Sequence, residues 1–141
     1  MIKLVKMMNS GVNVPEPIQL KFNSTIELKA GHFCYMKNGD ISTWQENSRE
    51  RLLYVLRDPM LEVYPCYLLC YIVTPDMVFE AEVANKPHEV SVGQTFKFSY
   101  NDDDLLYSIT TQDVDESNMV GIIVDSSPYF RTGKVLVQFN C

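Results

Sequence analysis

His32, Cys34, Cys66 and Cys70 carry the imidazole and thiol groups that usually hold zinc. Their spacing argues against such a site. On one extended strand Cys66 and Cys70 share a face but stand about 13 Å apart at the usual rise per residue, beyond the span of one tetrahedral ion. The plainer account is buried thiols in a reducing cytoplasm. The stretch Asp113-Val114-Asp115-Glu116-Ser117-Asn118 alternates oxygen ligands in the manner of a calcium loop. An EF-hand, however, needs glycine where Asn118 stands and glutamate where Val124 stands. A solvated, flexible acidic loop is expected instead, and Asp102, Asp103 and Asp104 are read as the end of a hairpin. His32 and His88 titrate near neutral pH without a shift, yet neither lies in a nucleophile motif such as Gly-x-Ser-x-Gly. No Gly-x-x-x-x-Gly-Lys loop or dinucleotide fingerprint occurs. No catalytic, cofactor-binding or metal-ligating residue is assigned, no cofactor is expected, and a small hydrolase or metal enzyme is the least favoured reading.

The elements that would position any site come from a chain of 141 residues, enough for one domain with a core that needs no staples. Apolar residues make up 46% and charged residues 21%, a balance that argues against extended disorder. A net charge of −6 with twelve dispersed basic residues argues against a grip on nucleic acid, which needs clustered Lys and Arg. Lys3 and Lys6 precede no apolar stretch long enough for an export signal. The longest apolar run, Cys66 to Val73, is far short of the ~20 residues of a membrane-spanning helix. A soluble protein with no membrane partner is expected.

Along the chain the periodicity is that of strands. Ile2 to Met7 suits a strand of a partly exposed sheet. Pro15 and Pro17 bracket Glu16 and predict an extended arm. Thr25 to Lys29 alternates, His32 to Lys37 is β-prone, and Asn38-Gly39 is the favoured pair for a type I′ hairpin returning through Asp40 to Trp44. Gln45 to Arg51 reads as an exposed loop, and Leu52 to Leu56 as a strand. The run from Cys66 to Val73 is expected to be buried on both faces, or to form one wall of a closed barrel at an interface, and to end at the Thr74-Pro75-Asp76 corner. Met77 to Val83 reads as a strand emerging toward an edge. Val90-Ser91-Val92-Gly93-Gln94 loosely repeats Ile26-Glu27-Leu28-Lys29-Ala30-Gly31, a likeness too short to establish a duplication. Phe96 to Tyr100 and Leu105 to Ile109 form a hairpin. Met119 to Val124 carries Gly121 where backbone approaches closely, and Lys134 to Phe139 closes the chain after a loop from Asp125 to Gly133. The expectation is an all-β fold: a single domain over residues 1–141, a small β-barrel or β-sandwich of about nine or ten short strands. Residues 1–23 would supply an N-terminal strand and extended arm, and 24–141 the body.

Three segments are shared with a known group: Glu27 to Ile41 with its Asn38-Gly39 turn, Val73 to Val83 around Thr74-Pro75-Asp76, and Lys134 to Phe139. Together, in this order, they resemble the small β-barrel proteins of tailed-phage head modules, the capsid decoration or auxiliary head proteins. The resemblance implies a non-enzymatic structural protein of the virion, made in the host cytoplasm and placed on the capsid surface. Its partner would be the lattice of the major capsid protein, stabilised against internal genome pressure because only the assembled state is bound. Self-association as a trimer, or a monomer, fits that role. The contact residues it suggests are Val12, Val14, Pro15, Glu16 and Pro17 of the arm, Arg49 and Arg51 of one loop, and Tyr129, Phe130 and Arg131 of another. The alternative is a cytoplasmic module that binds a protein or peptide.

Overall fold

Short apolar or alternating runs, punctuated by glycine, proline and acidic turns, form strands in the structure. It is a computed structural model that describes residues 2–7, 16–21, 28–37, 40–43, 51–60, 66–84, 90–101, 106–127 and 129–140. Among these the strands are β1 (Ile2–Met7), β2 (Ile18–Lys21), β3 (Phe33–Lys37), β4 (Asp40–Thr43), β5 (Arg51–Val55), β6 (Tyr67–Ile72), β7 (Met77–Glu82), β8 (Thr95–Asn101), β9 (Leu106–Thr110), β10 (Gly121–Asp125) and β11 (Lys134–Phe139). A single helical turn, α1 (Tyr129–Thr132), sits before β11. The fold is all-β. The strand absent from the sequence-based expectation is β2, whose four residues alternate half-buried and exposed behind the proline-bracketed arm.

The chain divides into two compact units, Asn13–Val73, and Met1–Val12 with Thr74–Cys141. The first holds a five-stranded sheet in the order β2-β6-β5-β3-β4, the second a six-stranded sheet in the order β1-β7-β11-β10-β8-β9. Neighbouring strands pair antiparallel throughout. Neither sheet closes into a barrel. In the six-stranded sheet β9 returns to touch the chain just past β7, where Val83 bridges Ile109 and the Ala84 N–H donates to the Ile109 carbonyl at 2.8 Å.

Leaving β1 aside, the two units share one strand order. Counting strands along each unit, the first lies beside the fifth, then come the fourth, second and third. The registers agree residue by residue. Ile18 pairs with Cys70 and Cys70 with Val55, as Phe79 pairs with Val137 and Val137 with Ile123. Leu53 lies between Ile72 and Cys34, as Gly121 lies between Phe139 and Phe96. The turn before the second strand is also the same. Gly31 and Gly93 take φ of 87° and 91°, a left-handed backbone that glycine adopts without strain. Each donates its N–H at 2.8 Å, to Val55 and to Ile123 respectively. The next residue's side chain accepts back across the turn: His32 Nδ1 from the Lys29 N–H at 3.3 Å, and Gln94 Oε1 from the Ser91 N–H at 2.9 Å. The loose sequence likeness between these two stretches therefore marks corresponding turns of two units built alike.

Each unit fills one face of its sheet from corresponding positions. In the five-stranded sheet Leu28, Cys34, Leu53, Val55, Leu68 and Cys70 form the centre, with Ile18, Leu20, Met36, Ile41 and Ile72 half-buried around it. In the six-stranded sheet the matching positions carry larger rings. Phe139 lies 5.1, 5.4 and 5.5 Å, centroid to centroid, from Phe79, Phe96 and Phe98. Gly121 makes room for them, since a Cβ there would come within 2.8 Å of the Phe96 ring and would overlap the Gln138 carbonyl oxygen. Where the first unit pairs a small Cys34 with a large Leu53, the second pairs a large Phe96 with a residue of no side chain, and close packing is kept.

Two expectations about the middle of the chain are corrected. The apolar run is not buried on both faces: in β6 only Leu68 and Cys70 are fully covered, while Leu69, Tyr71 and Ile72 are half-buried and Tyr67 is exposed. Its continuous apolar pattern comes from tyrosines, whose rings tolerate a half-wet face. Conversely, β7 is not an emerging edge but lies between β1 and β11, with Met77, Val78, Phe79 and Ala81 buried. Its second neighbour arrives from the far N-terminus, a pairing that no local pattern announces.

Candidate functional site

The residues weighed for metal chemistry are held by the five-stranded sheet. Cys34 on β3 and Cys70 on β6 face the apolar centre. Burial pushes the Cys34 thiol up to about 12, with the neighbouring Cys70 adding to the effect, and burial pushes Cys70 to about 11. Both are neutral thiols at physiological pH and poor nucleophiles. His32 is buried, and its Nδ1 accepts a backbone hydrogen bond, which places the ring proton of the neutral form on Nε2. Among the described residues no group of three His, Cys, Asp or Glu side chains is placed to share a metal ion. His88 and the aspartates at 102–104 lie outside the described residues.

These thiols make a testable pattern. In the native protein Cys34 and Cys70 resist alkylation at pH 8, whereas both react once the chain is denatured, as mass spectrometry of the labelled peptides would report. The sign of the pH dependence follows from the raised pKa. An unfolded thiol ionises near 9 and the folded ones only near 11 to 12, so this contribution is complete below pH 9 and is lost as pH climbs through that window. Comparison of Cys34→Ala with the parent in alkaline unfolding isolates it, since lysines and tyrosines titrate equally in both. An alkaline slope identical in the two proteins would contradict the assignment.

The acidic loop is hydrogen-bonded to itself. Asp115 Oδ1 accepts from the N–H groups of Ser117 and Asn118 at 2.8 and 3.1 Å and from the Ser117 hydroxyl, while Asn118 Oδ1 accepts from the Asp115 N–H at 2.8 Å. The Asn118 amide closes the loop by donating to the Asp113 carbonyl at 3.1 Å. The Ser117 hydrogen bonds hold the Asp115 carboxyl below its ordinary range. Its Oδ1 is occupied in shaping a turn, as Asp and Asn side chains commonly do.

The residues suggested for contact are divided between the two units. Glu16 and Pro17 are exposed and lead into β2, whereas exposed Arg51 opens β5, with β6 between the two strands. Tyr129, Phe130 and Arg131 belong to the other unit, in α1, where Tyr129 is half-buried and Arg131 exposed. That turn is closed by the Tyr129 N–H on Ser126 and the Gly133 N–H on Tyr129, at 3.1 and 2.8 Å, so the expected loop contains a short ordered helix. Val12, Val14, Pro15 and Arg49 lie outside the described residues.

The surface that sequence reasoning passed over is the face of β6 that carries Tyr67, Leu69 and Tyr71. Tyr67, 48% exposed, stands in a row with half-buried Leu69 and Tyr71. Lys21 and Gln19 of β2 lie directly opposite Tyr67 and Leu69. Farther along the same face Tyr54 is opposite Tyr71 and packs its ring 5.2 Å from Phe33. The face thus grades from buried aromatics at β3 and β5 to wet ones at β6. The signal available in the sequence was the alternation of tyrosine at positions 67 and 71 within the apolar run.

No helix among the described residues is long and apolar enough to cross a membrane. No protein-family profile matches the chain, and neither a curated protein nor a solved structure does.

Proposed function

We propose that the chain is a structural protein of a tailed-phage head, docking on the assembled lattice of the major capsid protein without catalysing a reaction. The observation that carries this reading is the tyrosine-bearing face of β6: Tyr67 exposed at 48%, half-buried Leu69 and Tyr71 beside it, and Gln19 and Lys21 as a polar rim. Tyrosine supplies large contact area at low entropic cost and is enriched at the centres of protein interfaces, where charged groups are kept to the rim. The three segments resembling head proteins support the identity of the partner. A protein that binds only the assembled shell stabilises it by mass action, in proportion to its occupancy.

The test is quantitative mass spectrometry of purified particles, read as the ratio of this chain to the major shell protein. A fixed ratio is expected, and absence from particles ends the reading. Substituting Tyr67→Ala, whose ring is half in water and contributes little to the core, is expected to weaken binding to isolated shells by at least about tenfold while leaving thermal stability within a few degrees. Unaltered shell binding by Tyr67→Ala would move the contact elsewhere. A chain that captures soluble proteins or peptides but never sediments with shells would instead be the binding module of the alternative reading.

A further inference from the structure

The two units differ at one edge. In the six-stranded sheet the outer edge of β7 is covered by β1, which pairs with it antiparallel: Ile2 opposite Ala81, Lys3 opposite Glu80, Leu4 opposite Phe79. In the five-stranded sheet β2 occupies the position of β7, as the registers Leu20 to Leu68 and Ala81 to Val135 show. Among the described residues no strand pairs with the outer edge of β2. The third strand of each unit comes near this edge, β4 beside β2 and β9 beside β7, yet in the six-stranded sheet β9 makes its bridge and backbone hydrogen bond past Glu82, at Val83 and Ala84, so that one edge accommodates both β1 and β9.

We infer that the outer edge of β2, Ile18–Lys21, accepts an extended segment of a protein partner as an added antiparallel strand, in the place that β1 takes on β7. Strand addition of this kind derives affinity from main-chain hydrogen bonds and specificity from alternate side chains. Charge selects the occupant. On β7 the outward residues are Glu80 and Glu82, flanked by Lys3 of β1 and by Lys134, whose Nζ lies 3.6 Å from Glu80. At the matching positions of β2 stand Gln19 and Lys21. The lysine-bearing strand that suits β7 is therefore the wrong sign here. A segment with carboxylates on the outward positions and apolar residues opposite Ile18 and Leu20 is the complement, since opposite charges across a strand pair are favourable and like charges unfavourable. Pro17, lacking an N–H, sets where the pairing begins. The identity of the partner, the shell protein, rests on the reading proposed above; the acceptor edge does not.

The 141-residue chain is titrated with two synthetic hexapeptides, acetyl-Glu-Ile-Glu-Leu-Glu-Val-amide and its counterpart with lysine for each glutamate, while backbone amide shifts and hydrogen exchange are read by NMR. The acidic peptide is expected to shift the amides of residues 18–21 and slow their exchange, with affinity about fivefold above that of the basic peptide. The order of preference is expected to reverse in Lys21→Glu, an exposed substitution that leaves the core untouched. Unchanged exchange at 18–21 with both peptides overturns the inference, and so does protection confined to other edges. Peptide binding at β2 without association with particles would sink the shell reading and leave the edge standing. Particle association with no peptide effect would do the reverse.

Discussion

Gly121→Ala lowers the stability of this protein by about 3 kcal/mol, the upper part of the range for overpacking a close-packed core, or prevents folding altogether. The reason is local and rigid. A Cβ at this position overlaps the carbonyl oxygen of Gln138 on the neighbouring β11 and falls 2.8 Å from two atoms of the Phe96 ring. A ring can rotate away, but a backbone carbonyl held in the ladder between β10 and β11 cannot. Combining Gly121→Ala with Phe96→Leu therefore restores little, which separates this account from a simple side-chain clash. Equilibrium denaturation of the two variants decides it. A Gly121→Ala protein within about 1 kcal/mol of the parent, or one fully rescued by Phe96→Leu, would contradict the geometry.

Phe139→Ala is expected to cost about 3–5 kcal/mol, the range for truncating a buried phenylalanine. Its ring is fully buried and contacts those of Phe79, Phe96 and Phe98, so truncation opens a cavity bordered by three rings that cannot all collapse into it. The matching residue of the five-stranded sheet is Ile72, partnered with Leu53 as Phe139 is with Gly121, and it is only half-buried. Ile72→Ala is accordingly the milder change. Denaturant midpoints for the pair measure the difference between two equivalent positions, and equal losses would show that the second unit does not depend on its aromatic cluster.

Much of this architecture was legible in local sequence. The pairing of Lys37 with Asp40 fits the two-residue turn that Asn38-Gly39 announces, although those two residues lie outside the described part. The hairpin from Phe96 to Ile109 and the close approach at Gly121 were equally readable, because each rests on chemistry within a few residues. What escaped depends on distant chain. β2 is four residues long and follows prolines, so its alternation of Ile18, Gln19, Leu20 and Lys21 was absorbed into an arm. The interior place of β7 is decided by β1, and the half-wet face of β6 by which strand lies on either side of it. The repeat of one strand order shows in the sequence only at Gly31 and Gly93, because pairing geometry constrains the backbone while core volume can be redistributed, as between Leu53 and Gly121. Which tyrosines face water depends on distant chain for the same reason: Tyr67 and Tyr71 suit a core and an interface equally until their neighbours are known.

The pairing of β1 with β7 has a consequence for the nascent chain. β1 is synthesised before the other strands described, yet its partner begins at Met77, so at roughly 5–20 residues per second several seconds of translation separate the two. All strands of the five-stranded sheet are made within that interval. Through it Ile2, fully buried in the finished protein, has no ladder to join. The lysines at positions 3 and 6 and the register shift between Leu4 and Lys6 are the devices by which an unpaired strand avoids sticking to its neighbours. β1 is thus made well before the strand that holds it, and it can be placed only after β7 has followed.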